Sequence, residues 1–335
     1  MTHPAPTVLQ LCVAEAQSLN PLIRMIRLRA LDGSALPGFD AGAHLRVQVE
    51  LPDGRADWRH YSLINFSTDP GACRAPAAYT IAVRREDEGR GGSRYMHERV
   101  QVGQLLSVEA PKNEFPLHGD GAGATGATVL LAGGIGVTPL TSMAAQRVAE
   151  QAPVRMHYAG RDRAVMAFLN ELQQLLGDAL RVHEDDSAGA PLDVDAVLDG
   201  CGPADQLYVC GPKPMLDAVL AKTQARGWTH ERVHFEVFTQ PTTRSGDQPL
   251  EVELRQSGQV LQVPADKTIL QVMEEAGCDP MFDCRRGECG VCQATVLEGI
   301  PDHRDYFLSD AEKASGKLIQ ICISRAKSER LVLDL

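Results

Sequence analysis

Cys284-Arg-Arg-Gly-Glu-Cys289-Gly-Val-Cys292 is the stretch on which the reading of this 335-residue chain turns. Three cysteines at C-x4-C-x2-C spacing are followed, thirty residues on, by Cys322. That is the ligand spacing of a plant-type 2Fe–2S cluster, held by four thiolates. Structural zinc sites usually pair two short C-x2-C units, and none stands near Cys322. The metal ligands are therefore read as Cys284, Cys289, Cys292 and Cys322. Such a cluster takes and gives one electron at a time, so the chain is read as an electron carrier. The other five of its nine cysteines are scattered and read as reduced thiols.

Around this loop, residues 249–335 read as an α+β unit. Leu250–Leu254 and Val260–Val263 are strand candidates joined at Ser257-Gly258, and Thr268 caps a helix running to Ala276. Strands near Ala294–Leu297 and Leu318–Ile323 complete a mixed sheet gripping one helix, a β-grasp ferredoxin arrangement. Two polar, glycine-bearing stretches, Gly119–Gly126 and Thr239–Gln248, read as linkers. They divide the chain into segments 1–118, 127–238 and 249–335.

Segment 127–238 alternates strand and helix. Strands are expected at Thr128–Ala132, Val154–Tyr158, Leu180–His183 and Gln206–Val209, and helices at Pro139–Glu150, Phe168–Leu176 and Pro214–Ala225. This order predicts an α/β domain with a parallel sheet, its ligand held at the C-terminal ends of the strands. Segment 1–118 predicts short strands at Arg24–Arg29, His44–Glu50, Tyr79–Val83 and Gln104–Val108, with one helix capped by Ser93. A small antiparallel β-barrel follows.

Composition narrows the function. A net charge of −11 argues against nucleic acid as a partner. No apolar run has the length of a membrane span, so no membrane partner is expected. The first residues lack a basic region followed by an apolar stretch, and the protein is expected to be cytoplasmic.

Three further motifs lie at predicted strand ends. Gly133-Gly-Ile-Gly-Val-Thr-Pro139 follows a strand and opens a helix, where glycines let a backbone approach a pyrophosphate. It lacks both the G-x-G-x-x-G pattern and the G-K-[ST] of a triphosphatase loop. Cys210-Gly-Pro212 ends a later strand of the same sheet; by itself Cys210 reads equally as a small buried residue. On Arg59-His-Tyr61-Ser62, period two puts Arg59, Tyr61 and Leu63 on one face, and His60 and Ser62 on the other. Gly89-Arg-Gly91-Gly92-Ser93 then sets a glycine turn before a helix.

In this order, and with Phe235-Glu-Val-Phe238 ending the second segment, the motifs resemble the ferredoxin–NADP reductase superfamily. The C-terminal ferredoxin brings the resemblance closer to the phthalate dioxygenase reductase group, which includes vanillate demethylase reductases. The resemblance covers nearly the whole chain. It implies a flavin-binding barrel, with FMN expected ahead of FAD. Arg59 and Ser93 would hold the phosphate, with Gly91, Gly92 and Arg84 nearby. Tyr61 and Ser62 would contact the ring, and His60 lies in that stretch without an assigned role. Gly134, Gly136, Thr138, Cys210, Gly211 and Pro212 would receive the nicotinamide cofactor. Phe238 would cover the flavin face, so Ser62, Cys210 and Phe238 would flank hydride transfer. Asp162 would meet the adenine ribose and favour NADH; Arg161 and Arg163 cut the other way.

The resemblance implies a reductase that passes electrons singly from NADH, through flavin and cluster, to a Rieske non-haem iron terminal oxygenase, either an aromatic-ring dioxygenase or a demethylating monooxygenase. Two alternatives stay open: an FAD-containing reductase for another oxygenase, and a redox-sensing iron–sulfur flavoprotein.

Overall fold

The computed structural model describes residues 7–69, 71–118, 126–229, 231–238, 244 and 246–335. Most of both expected linkers, residues 119–125 and residues 239–243 with 245, lies outside the described residues. The chain's contacts fall into two compact units, Met1–Glu236 and Val237–Leu335.

The first unit begins with β1 (Val8–Ser18), β2 (Ile23–Ala30), β3 (His44–Glu50), β4 (Ala56–Ser62), β5 (Tyr79–Arg84), helix α1 (Gly92–Glu98) and β6 (Leu105–Lys112). The strands form one antiparallel sheet in the order β4-β3-β6-β1-β2-β5. Strand alternation explains the curl. On β3, Leu45, Val47 and Val49 are buried while Arg46 and Gln48 are half-buried. Each such apolar side chain withdrawn from water contributes about 1.5–3 kcal/mol. Beyond the edge strand β4, the Ile64 N–H donates to Thr80 on the opposite edge, β5, at 2.9 Å, which draws the sheet towards closure.

One expectation fails at α1. Ser93 is not its cap; Gly91 is, in the left-handed region at φ 95°. A side chain there would strike the Pro52 ring at 2.5 Å, so the corner admits only glycine.

The same unit continues with β7 (Thr128–Gly133), α2 (Val137–Ala149), β8 (Val154–Gly160), α3 (Leu169–Leu176), β9 (Leu180–Glu184), α4 (Asp185–Ala188), α5 (Val194–Asp199), β10 (Gln206–Cys210), α6 (Lys213–Ala225) and β11 (Val233–Glu236). All five strands are parallel, in the order β11-β10-β7-β8-β9. Central β7 is buried along its whole length, as a strand covered on both faces must be. Strand order reverses between β7 and β10, and that crevice is where such sheets bind ligands.

The second unit contains β12 (Leu250–Leu254), β13 (Gln259–Val263), α7 (Ile269–Glu275), β14 (Gln293–Glu298), β15 (Pro301–Asp302), α8 (Asp310–Ser315), β16 (Leu318–Gln320), β17 (Arg325–Ala326) and β18 (Arg330–Leu333). Its main sheet runs β13-β12-β18-β14-β16, with β18 parallel to β12 and antiparallel to β14. Helix α7 starts on a reciprocal cap between Thr268 and Gln271 and buries Ile269, Leu270 and Met273. The segment before β12 is tied down by Arg304, which pairs with Asp247 at 2.5 Å. The mixed sheet around α7 is the one the sequence predicts, while β18 and α8 are additions to it.

Candidate functional site

In the first unit the strand β4 delivers Arg59, Tyr61 and Ser62. Tyr61 lies opposite Leu45 and packs against the barrel core. Ser62 is buried. His60, on the other face, meets the His44 ring edge-on at 4.9 Å. The Arg59 Nη1 donates to Asp57 at 2.5 Å and to the Trp58 carbonyl at 2.9 Å. Its Nη2 is buried with no hydrogen-bond partner among the described residues. A buried guanidinium nitrogen without an acceptor is unstable unless something anionic meets it. Gly92 makes room for this side chain, since a Cβ there would stand 2.6 Å from Arg59 Nε.

The other residues expected at the phosphate are engaged elsewhere. The Ser93 hydroxyl accepts from the Glu86 N–H at 3.0 Å and donates to the Glu86 carbonyl at 3.3 Å, pinning the loop before α1. Arg84 pairs with Glu86 at 2.6 Å on the surface.

The two glycine-bearing strand ends come together. Ala132 at the end of β7 is in register with Cys210 at the end of β10. The loop after β7 then folds onto β10 so closely that a Cβ on Gly136 would sit 2.2 Å from the Cys210 carbonyl oxygen. Gly134, by contrast, faces open space. Thr138 is buried, its hydroxyl donating to the Ile135 carbonyl at 3.0 Å, so it shapes the loop. Helix α2 leaves this loop and reaches the end of β4, where the Ser142 hydroxyl donates to the Leu63 carbonyl at 2.7 Å. Gly133–Pro139 and Cys210–Pro212 are thus in direct contact, and helix α2 ties them to Leu63, the residue after Ser62, within one unit.

Asp162 follows β8 and accepts from the Ala164 N–H at 2.9 Å. Arg163 is held by Glu184, the last residue of β9, at 2.6 Å. Sequence reasoning passed over Glu236, the residue of β11 in register with Cys210, which is only 2% exposed. An acidic residue set between the apolar Phe235 and Val237 was the available signal.

In the second unit, three of the four cysteines are buried and Cys289 is half-buried. They stand in two pairs. The Cys289 thiol hydrogen-bonds Cys284 and, with backbone N–H groups of Arg286, Glu288 and Cys289, holds Cys284 down to about 5 against burial. The Arg286 N–H lies 3.3 Å from the Cys284 sulfur. Cys292 is likewise lowered by a hydrogen bond with Cys322, which is itself pushed up. Among the described residues no three His, Cys, Asp or Glu groups surround one point as a single-ion site requires. Two sulfur pairs with amides turned towards them fit the four-thiolate donor set that a two-iron cluster would need. Gly287 admits this wrapping, because a Cβ there would stand 2.7 Å from Ile323.

Phe238 belongs to the second unit. The preceding Val237 N–H donates to the Glu288 carboxylate, inside the cysteine loop.

Comparison with known proteins agrees with this geometry. Residues 252–327 match the family model of a 2Fe-2S iron–sulfur cluster binding domain, and residues 121–233 that of the N-terminal domain of a DmmA-like dimethylamine monooxygenase subunit. The chain is 40% identical to the heme-dependent oxidative N-demethylase beta subunit of Ectopseudomonas mendocina (strain ymp), over 98% of its own length and 99% of that protein's. It is 40% identical to the vanillate O-demethylase oxidoreductase of Pseudomonas sp. (strain HR199), over 91% and 92% of the two chains. The solved structure of phthalate dioxygenase reductase superposes with a TM-score of 0.73 at 36% identity, covering 98% of each chain.

This chain belongs to the phthalate dioxygenase reductase group. It is an oxidoreductase with that group's fold: an antiparallel sheet, a parallel nucleotide-binding sheet and a C-terminal ferredoxin domain. A 2Fe–2S cluster goes with the last domain of the group, and a flavin and a nicotinamide cofactor with the first two. Among the described residues no helix is long and apolar enough to cross a membrane.

Proposed function

We propose that the protein is an NADH-dependent reductase component, carrying FMN and a 2Fe–2S cluster, that delivers electrons singly to a Rieske non-haem iron oxygenase. The observation that carries this reading is the packing of Gly133 and Gly136 against the Cys210–Pro212 edge, with the Ser142–Leu63 bond tying the helix after that loop to the residue that follows the Arg59–Ser62 strand. A flavin bound there converts a two-electron hydride donor into a source of single electrons, which the cluster accepts one by one.

The roles of the chain's residues follow from where they sit. Arg59 offers Nη2 to an anionic phosphate, and Ser93 holds the neighbouring loop in place. Ser62 and Tyr61 stand where the isoalloxazine ring would lie. Gly134, Gly136, Gly211 and Pro212 leave a flat backbone edge for the nicotinamide, with Cys210 beneath it. The pairing of Arg163 with Glu184 removes a cation that would attract a 2′-phosphate, which supports NADH over NADPH. Cys284 with Cys289, and Cys292 with Cys322, would each hold one iron. In this reading segments 1–118, 127–238 and 249–335 are the flavin, NAD and ferredoxin domains. None of the nine cysteines is in a disulfide, which fits a cytoplasmic protein.

The 40% identity to a heme-dependent N-demethylase subunit favours a second reading of the partner, a haem rather than a Rieske oxygenase. The reductase chemistry is the same in both.

An absorption spectrum of the purified protein before and after NADH tests the proposal. Flavin and iron–sulfur bands that bleach with NADH are expected, with equimolar FMN on extraction. Protein without iron and sulfide, or bands unmoved by NADH, would overturn it.

A further inference from the structure

Met215 stands in the first turn of α6, its N–H donating to the Pro212 carbonyl at 3.0 Å. Its thioether lies across the two strand ends that meet at the nucleotide edge. A Cβ on Gly133, the last residue of β7, would stand 2.9 Å from the Met215 Sδ and 2.9 Å from its Cε. A Cβ on Gly211, the residue after β10, would stand 2.3 Å from the same Cε and 3.0 Å from the Gly133 Cα. Each glycine thus has Met215 where a side chain would otherwise be. Exposure sets this residue apart. Of the described methionines in the first unit, Met96, Met143, Met156 and Met166 are buried, and Met25 and Met215 are half-buried. Met25 lies on β2, in the barrel. Met215 joins partial exposure to contact with both glycine strand ends.

We propose that Met215 is a site of reversible oxidation, and that its sulfoxide shuts the nucleotide edge. This rests on the NADH reading above. The oxidant is hydrogen peroxide: dioxygen that takes two electrons and two protons from a reductase starved of its acceptor leaves as peroxide. The O–O bond then breaks, one oxygen joins the Met215 sulfur, which loses two electrons, and the other leaves as water. The product exchanges a flexible apolar side chain for a polar, chiral one. The new oxygen has to be placed beside the Gly133 and Gly211 backbones and the Pro212 ring, and Pro212 has no N–H to give it. It acts as a wedge that parts β7 from β10 at the end where Ala132 is in register with Cys210. Electron entry then stops when dioxygen, rather than the acceptor, is draining the chain.

The test treats the full-length protein, with its flavin and cluster, with dilute hydrogen peroxide. Peptide mass, NADH titration calorimetry and NADH-driven ferricyanide reduction are followed together. One oxygen on the peptide carrying Met215 is expected to accompany a roughly tenfold loss of NADH affinity, the effect of overpacking at a close contact, with flavin content unchanged. Methionine sulfoxide reductase is expected to reverse both changes. Met215→Leu, compared with its own untreated rate, is expected to withstand a dose that inactivates the wild type. Met281→Leu, which removes a methionine 72% exposed in the second unit, is expected to stay as sensitive as the wild type. Reversal in the wild type needs no variant and decides the matter if Met215→Leu does not fold. Intact NADH affinity with Met215 oxidised would overturn the proposal, as would an inactivation that precedes this oxidation or resists the sulfoxide reductase. Untreated wild type that takes up no NADH would instead overturn the NADH reading on which the proposal rests.

Discussion

The Ser142 hydroxyl on α2 donates to the backbone carbonyl of Leu63 at 2.7 Å, with both residues buried. This one bond ties the helix that leaves the glycine loop to the strand that carries Arg59, Tyr61 and Ser62. Replacing Ser142 by alanine leaves a buried carbonyl without its donor, at a cost of roughly 1–3 kcal/mol. A lower melting temperature is expected. Stopped-flow mixing is expected to show NADH reducing the flavin more slowly, while NADH affinity changes less. Full-rate reduction would mean the bond does not set the spacing of the two motifs.

Gly136 is expected to tolerate no side chain. A methyl group there meets the Cys210 carbonyl oxygen at 2.2 Å, and the nearest atoms it would meet are all backbone. Gly136→Ala is expected to push the loop off β10 and to cost about 1–3 kcal/mol, the usual range for overpacking. Flavin content should persist while NADH binding, followed by titration calorimetry, is lost or falls at least tenfold. Wild-type binding would show that the loop has a slack not visible in its contacts.

Cys289→Ser is expected to abolish the cluster and spare the flavin. Ferricyanide reduction by NADH should continue, and cytochrome c reduction should collapse together with the iron–sulfur absorbance. Cytochrome c reduction at the original rate would remove Cys289 from the ligand set.

Acid is expected to weaken the first unit through two histidines. Burial, aided by His118, lowers His234 from 6.5 to about 4, and burial, aided by His183, lowers His157 to about 4. Between those values the unfolded chain binds protons that the folded chain refuses, so stability rises with pH. The stabilisation is complete above pH 6.5 and is lost as pH falls towards 4. Melting temperatures at pH 7 and pH 5 are expected to differ, and His234→Phe is expected to narrow the gap. A flat profile across that range would count against both shifts.

Much of this architecture is legible in the sequence because its signals are local. Cys284–Cys292 is one loop, and Gly133–Gly136 follows a strand whose six residues are all buried. The features that escaped depend on distant pairing. Strand β18 has four residues and exists because β12 and β14 flank it on either side. Strand β11 is equally short, and its Glu236 acquires meaning only beside Cys210. Ser93 was misread because a serine before a helical run is normally the cap; here the left-handed corner needs Gly91, and the serine turns back to Glu86.

The split of the cysteines between one loop and a distant strand end bears on how the protein matures. Cys322 reaches Cys292 because Gln293 pairs with Gln320 and the Ile321 N–H meets the Cys292 carbonyl at 3.3 Å. Until that sheet has formed, a chain leaving the ribosome presents three thiolates and an open fourth corner. With the proposed ligand set, iron and sulfide can be locked in only after residues 318–322 have been synthesised and folded back onto Cys292 and Gln293. Assembly factors would therefore meet a chain already folded through Cys322, and a nonsense codon ahead of Cys322 would yield a yellow protein without its brown.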